Sequence, residues 1–388
     1  MHTVDTVDVA VVGAGPAGSW AAYRLACAGA RVALIDGSHP REKPCGGGVT
    51  GRALSLVADA IDTARLPSCR IRSARFADAT GRRSVAVPLD DDALVVASRA
   101  DFDGMLLGAA RQAGAELIAL RALDVTQDGR GFLIHTATRR VAARLLIGAD
   151  GANSLVRRRL ARPFARADLS IATGYFAHGA TSDEIVVELT ADPPGYIWSF
   201  PRPGHLAIGI CAQANEGATA GALRVRTIEW IRRMSLAHGA SLEPYSWPIP
   251  SLTAAGFGSL TTSGPGWFLA GDAAGLVDPI TREGIYFALR SGEWAAQAAA
   301  STDGASYTRY RERIHDEIGA DLARAARYKA GFFRPRFSRL LIDALRESAG
   351  IRAVMADLVA GRRAYSTLKW SLAKTFEVGL AWRLITST

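Results

Sequence analysis

The hexapeptide Gly13-Ala14-Gly15-Pro16-Ala17-Gly18 constrains this chain more than any other segment, because it joins a continuous apolar run (residues 7–12) to a stretch that reads as helix (residues 16–28). An apolar, β-branched run without alternation is the pattern of a strand buried on both faces of a parallel sheet. Pro16 suits the first turn of a helix and Gly29 the position past its end. Residues 31–35 then form a second buried strand closing on Asp36, which completes a βαβ unit. In that setting the first glycine permits a tight turn, the second lets backbone approach a pyrophosphate, and the third lets helix and strand pack closely. The helix amino end adds free N–H groups and a positive dipole. Asp36, about twenty residues on, is placed to accept hydrogen bonds from ribose hydroxyls. Dinucleotide binding through Gly13, Gly15, Pro16, Ala17, Gly18 and Asp36 is the expectation.

The other pieces of such a sheet lie far along the chain. Residues 144–147 read as a buried strand ending in Gly148-Ala149-Asp150-Gly151, and residues 267–270 as another, followed by Gly271-Asp272. Residues 99–113 read as helix, and residues 153–160 as the start of a basic one. Residues 65–95 are irregular and suit strands of a second lobe. Residues 165–260 carry alternating segments, such as 185–189 and 205–211, punctuated by Pro and Gly, which suits an antiparallel sheet with one wet face. Helical periodicity dominates from about residue 300. Leu368, Leu372, Phe376, Leu380 and Leu384 recur every fourth residue, with Lys369, Lys374, Glu377 and Arg383 between them, as in an amphipathic terminal helix.

The expected architecture is α/β, with a Rossmann-type nucleotide-binding domain interleaved with an antiparallel-sheet substrate domain, plus C-terminal helices. The boundaries read as 1–64, 96–160 and 261–300 for the first domain, 65–95 and 161–260 for the second, and 301–388 for the helical region.

A formal net charge of +9 favours anionic partners but does not choose among nucleic acid, an acidic membrane surface and a phosphorylated substrate. The basic residues are scattered rather than gathered in a recognition motif, so no nucleic-acid role is expected. No apolar run approaches the roughly 20 residues of a membrane-spanning helix. Residues 1–8 lack the basic-then-apolar pattern of a signal peptide, so the expected location is cytoplasmic or peripheral at the inner face of the membrane. Cys27, Cys45, Cys69 and Cys211 form no CxxC pair and no His is spaced for zinc, so no metal site is expected.

Three further segments carry chemistry. Ala270-Gly271-Asp272-Ala273-Ala274-Gly275 follows a strand, and Pro279-Ile280-Thr281-Arg282-Glu283-Gly284-Ile285 leads into a helix. Lys43-Pro44-Cys45-Gly46-Gly47-Gly48-Val49 strips side chains from one side of a loop, as if a planar ring or the end of a long substrate passed close to backbone. In Pro193-Pro194-Gly195-Tyr196-Ile197-Trp198-Ser199-Phe200-Pro201, a strand would turn the three rings to one face.

The first of these resembles the GD motif of flavoprotein hydroxylases and their relatives. Gly148-Ala149-Asp150-Gly151 is similar to their DG motif, and Arg99 with Asp101-Phe102 to their flavin-contacting arginine. The resemblance implies FAD as the cofactor, with Gly271 and Asp272 at the ribitol chain and the backbone of Gly284 and Ile285 facing the isoalloxazine ring. Arg282 stands where many relatives carry Gly. The Lys43–Val49 and Pro193–Pro201 segments resemble the PCGGG loop and the PxxYxWxFP pattern of the geranylgeranyl reductase family. That resemblance implies that Cys45, Gly46 and Gly47 lie beside the flavin and that Gly48, Tyr196, Trp198 and Phe200 line a lipid cavity.

The reaction it implies is saturation of carbon–carbon double bonds in an isoprenoid chain, borne by a pyrophosphate, a glycerolipid or a quinone. Hydride would come from reduced flavin, and the proton from Cys45, Tyr196 or the flavin itself. NAD(P)H, ferredoxin or another electron-donor protein stay open as the source of electrons, since no second dinucleotide fingerprint is visible. A flavin monooxygenase or halogenase shares the fold and GD motif, but the PCGGG loop and the lack of a clear catalytic lysine speak against it. A non-catalytic flavin- or lipid-binding protein is the third reading. The terminal helix suits either docking on a membrane surface or a lid on the protein's own core.

Overall fold

The computed structural model describes residues 4–375 apart from Glu216 and Ala218. The strand Val4–Val12 lies inside an eight-stranded sheet, parallel to Arg140–Gly148 on one side and to Val32–Ile35 on the other. Trp267–Leu269 extends the parallel run beyond Arg140–Gly148, and Glu116–Ile118 extends it beyond Val32–Ile35. Register decides what meets at the end of this sheet. Val12 is level with Gly148 and Ile35, and Gly148 with Leu269. The residues that follow these strands, Gly13, Asp36, Ala149 and Ala270, therefore emerge side by side at the carboxyl ends. That crevice is where open α/β sheets bind their ligands.

The helix Pro16–Cys27 packs against Arg99–Gln112 and Ile285–Ala300, with Trp20 buried. The basic helix is shorter than read, Leu155–Leu160, and Arg157 on it turns inward. Its guanidinium donates to the carbonyls of Ala273, Arg162 and Thr261, and burial holds it down at about 10.

The second sheet has seven strands in the order Ser241–Pro250, Leu169–His178, His205–Gln213, Pro194–Arg202, Ile185–Ala191, Ser73–Ala77, Ser84–Pro88. Its neighbours are antiparallel except Ile185–Ala191 against Ser73–Ala77. The expectation of one wet face fails. His205–Gln213 is buried at every position. One face is covered by a helix, Ala220–Arg233, which presents Leu223, Trp230 and Ile231 to Ile197, Leu206, Ile208 and Ile210. The other face meets the C-terminal helices, where Phe333, Phe337, Leu341, Ile342, Leu345 and Met355 pack on Val87 and Leu189. With apolar cover on both sides, there is no water to impose polar alternation.

The residues read as loop before Gly51 end in a strand, Gly48–Thr50, which joins Leu94–Ala97 and Ser68–Arg70 in a small third sheet. Of the terminal amphipathic stripe, Leu368 and Leu372 pack inward, while Phe376, Leu380 and Leu384 lie outside the described residues. Among the described residues no helix is long and apolar enough to cross a membrane.

Candidate functional site

A cavity of about 930 Å³ runs from the glycine turn after Val12, past the Cys45 loop and the Asp272–Ile285 segment, to the aromatic strand and the C-terminal helices. This is at the upper end of the roughly 300–1,000 Å³ typical of small-molecule sites. Of the residues to which the sequence gives a cofactor, substrate or proton-donor role, all but Gly18 line it.

The three fingerprint glycines divide by what a side chain would strike. Gly13 has φ +101°, and a Cβ there would lie 2.4 Å from the Ala149 carbonyl oxygen. At Gly18 it would lie 1.8 Å from the carbonyl oxygen of Gly13, so this glycine serves packing. At Gly15 it would meet only His39 Nε2, at 3.6 Å, and otherwise project into free space. Gly15 lines the cavity and precedes the first turn of Pro16–Cys27. Open space beside unpaired helix N–H groups fits a pyrophosphate.

Asp36 lines the cavity at the end of the second strand, already surrounded by donors. Its Oδ1 accepts from the amides of Ser38 (2.7 Å) and His39 (3.0 Å) and from Ser38 Oγ (2.9 Å). Its Oδ2 accepts from the Ala14 amide at 2.9 Å and lies 2.8 Å from His39 Nδ1. Burial alone would raise this carboxyl, but the His39 hydrogen bond and charge and the amides outweigh it and hold it well below the usual range. Because the folded value is depressed, the stabilisation is present above the unfolded value near 3.9 and is lost as pH falls below it. In thermal melts, wild type should exceed Asp36→Asn at pH 7, and the gap should begin to narrow as pH falls below about 4 and keep closing toward the depressed folded value. A gap that stays constant down to pH 3 would contradict this.

The Cys45 loop is tied by two arginines. Arg99 is buried and bidentate to Asp103, at 2.9 and 2.7 Å, with Nη1 3.7 Å from Cys45 Sγ. Burial opposes its charge, but Asp103 prevails and the guanidinium is pushed up. Arg202, also buried, ion-pairs with Glu42 and donates to the carbonyls of Cys45 (2.7 Å) and Gly46 (3.1 Å). Its Nη2 lies 3.6 Å from Cys45 Sγ. Arg202 was not foreseen, although a lone arginine in Pro201-Arg202-Pro203, directly after the aromatic pattern, was a readable signal.

The planar ring expected against the glycines belongs in part to the protein itself. A Cβ at Gly46 would lie 2.9 Å from the Phe200 ring, and one at Gly47, where φ is +85°, would lie 2.3 Å from the Ala97 carbonyl. Tyr196, Trp198 and Phe200 do share the cavity face, and Gly209 opposite Trp198 makes room for the indole.

On the far wall, Asp272 Oδ2 is 2.8 Å from Lys43 Nζ. Asp150 lines the cavity, but its carboxylate accepts from Ser154 Oγ (2.5 Å) and from the Leu155 and Val156 amides at the start of Leu155–Leu160. It acts as a helix cap, and burial pushes its carboxyl up. Glu283 accepts from Thr50 Oγ1 at 3.0 Å and pairs with Arg52 at 2.5 Å, with burial raising its carboxyl against the pull of Arg52. Tyr196 donates its hydroxyl to the Thr281 carbonyl at 3.0 Å, which ties the aromatic strand to this loop. Burial, helped by Cys211, drives that phenol well above 10.

A glycine turn, the acid Asp36 and a Gly271-Asp272 loop lie along one crevice, and the family model described as FAD binding domain, which matches residues 6–291, defines the protein as an FAD-binding flavoprotein. The geranylgeranyl diphosphate reductase of Rhodobacter capsulatus is 32% identical over 307 residues, covering 75% of this chain and 74% of that protein. The menaquinone reductase of Mycolicibacterium smegmatis is 28% identical, covering 97% of both chains. The crystal structure of a geranylgeranyl bacteriochlorophyll reductase-like protein from Thermoplasma acidophilum superposes with a TM-score of 0.80 at 25% identity, covering 96% of this chain and all of that one. The chain belongs to the geranylgeranyl reductase family of FAD-dependent oxidoreductases.

Proposed function

We propose that this protein saturates carbon–carbon double bonds of an isoprenoid chain. The observation that carries the reading is the continuity of the cavity. Its cofactor-facing part, with Gly15, Cys45 and Gly284, opens into an apolar arm walled by Tyr196, Trp198, Leu189, Phe332, Met355 and Leu358. Such an arm fits a long hydrocarbon and keeps water from the reacting bond. Bound FAD, once reduced, supplies the hydride.

The residues of the chain supply position and a proton. Gly15 and the Pro16–Cys27 helix end would hold the pyrophosphate, and Asp272 with Lys43 would face the ribitol. Of the two proton candidates, Cys45 is the better placed. Both Arg99 and Arg202 present N–H groups to its Sγ, and among the described residues no acceptor takes the thiol proton. The Tyr196 proton is held by Thr281 and is strongly retained by burial. The names of the relatives support an isoprenoid substrate and leave its head group open among a diphosphate, a glycerophospholipid and a quinone.

The test is anaerobic. The flavin is reduced with dithionite, geranylgeranyl diphosphate, a digeranylgeranylglycerophospholipid or menaquinone is added, and reoxidation is followed at the flavin absorbance band with mass spectrometry of the product. Reoxidation with a gain of two hydrogens per saturated bond is the expected result. A flavin that stays reduced with all three acceptors until air is admitted would sink the reading and favour oxygen chemistry.

A further inference from the structure

Among the described residues three non-glycine positions have positive φ, Ser235, Ala237 and Arg282, and of these Arg282 alone lines the cavity. Its φ of +62° is a conformation that L-residues avoid. Such an outlier persists where the surroundings enforce it, often at functional sites. The turn it makes joins Thr281, which receives the Tyr196 hydroxyl, to Glu283 and the helix Ile285–Ala300.

Arg282 differs in its electrostatics from the three arginines beside the Cys45 loop and Glu283. Arg52 is paired with Glu283, Arg99 with Asp103 and Arg202 with Glu42. The guanidinium of Arg282 donates through Nη1 to the hydroxyl of Ser251, which is buried and itself donates to Gln213 Oε1 at 3.0 Å. Its Nε is buried without an acceptor. The nearby carboxylates are engaged elsewhere. Glu283 serves Thr50 and Arg52, while Asp278 accepts from the amides of Ile280 (2.7 Å) and Thr281 (3.0 Å) and from the Tyr365 hydroxyl (2.8 Å). No carboxylate among the described residues neutralises Arg282.

Arg282 is half-buried with its Nε shut off from water, and a partly desolvated charge is costly without a partner, so a cavity ligand carrying negative charge would be favoured beside it. The amino end of Ile285–Ala300, three residues on, adds its own positive dipole. Two-electron reduction of an oxidised flavin with uptake of one proton leaves one net negative charge on the ring.

We propose that Arg282 is an electrostatic positioning residue for the flavin, holding the charge that reduction adds and so raising the midpoint potential. The proposal rests on FAD binding and not on which acceptor the enzyme reduces, so its failure is separate from failure of the prenyl-reductase reading.

The test compares FAD-loaded wild type, Arg282→Gly and Arg282→Lys by equilibration with a reference dye during slow anaerobic reduction. Arg282→Gly should weaken the preference for reduced over oxidised FAD about tenfold, a fall of about 30 mV for a two-electron couple. Its melting temperature should not fall, because glycine adopts the left-handed turn freely. Arg282→Lys should recover more than half of the shift. If Arg282→Gly loses its FAD on purification, Arg282→Gln, which keeps a donor for Ser251, takes its place in the same measurement. An unchanged potential overturns the proposal. If it comes with a raised KM for a diphosphate-headed substrate, the guanidinium serves the substrate head group instead.

Discussion

Replacing Arg202 by Met is expected to lower the unfolding free energy by about 3 kcal/mol, with loss of the ordered Cys45 loop. The substitution preserves most of the volume, so the effect comes from the polar groups left behind. Glu42 loses its counter-charge, and the carbonyls of Cys45 and Gly46 lose their donors. Breaking a buried ion pair from one side costs about 3–5 kcal/mol. The lower end applies, because the Glu42 side chain keeps 32% of its surface in water and a hydrogen bond from Ser98.

Urea unfolding should show a lower midpoint with an unchanged slope. The double variant Glu42→Gln/Arg202→Met should lose less than the sum of the single losses, since the two groups form one network. Additive losses would mean that Arg202 acts through packing alone. The carboxyl of Glu42 bears on the same point. Burial would raise it, yet Arg202 and Ser98 hold it low.

The βαβ unit was legible because its signals are local. A buried strand, a glycine turn, a helix and an acid follow one another within the first 36 residues. The gathering of Gly148–Gly151 and Gly271-Asp272 at the same crevice was legible only through their order along the chain. Strand register, which brings Gly148 level with both Val12 and Leu269, is set by long-range pairing. Arg202 was hidden for a related reason, since its partner Glu42 lies 160 residues away.

The helix Ala220–Arg233 carried a helical signal in the spacing of Leu223, Thr227, Trp230 and Ile231, but lay among strands punctuated by Pro and Gly. Asp150 and the glycine loop show another limit. These residues, expected at the cofactor, do line the cavity, but a helix end takes the Asp150 carboxylate and Phe200 takes the space above Gly46. Sequence pattern selects the residues at a site; the packing of neighbours decides which atoms remain free for a ligand.

Gly15 is the position where that distinction can be measured. Gly15→Val is expected to fold normally and to lose FAD affinity by at least about 100-fold, or roughly 2.7 kcal/mol. The backbone at Gly15 is extended, with φ −71° and ψ −174°, so a side chain brings no strain. A Cβ there touches only His39 at 3.6 Å, an ordinary contact. The branches of valine would instead fill the space at the helix amino end that a pyrophosphate needs.

Gly13→Ala and Gly18→Ala serve as contrasts, because their Cβ atoms would collide with backbone at 2.4 and 1.8 Å. Those variants should lose stability whether or not cofactor is present. Melting temperatures of the apoproteins and FAD titrations of each variant separate the two cases. Gly15→Val should match wild type in the first and fail in the second, and a protein that binds FAD as tightly as wild type would remove the pyrophosphate from this turn.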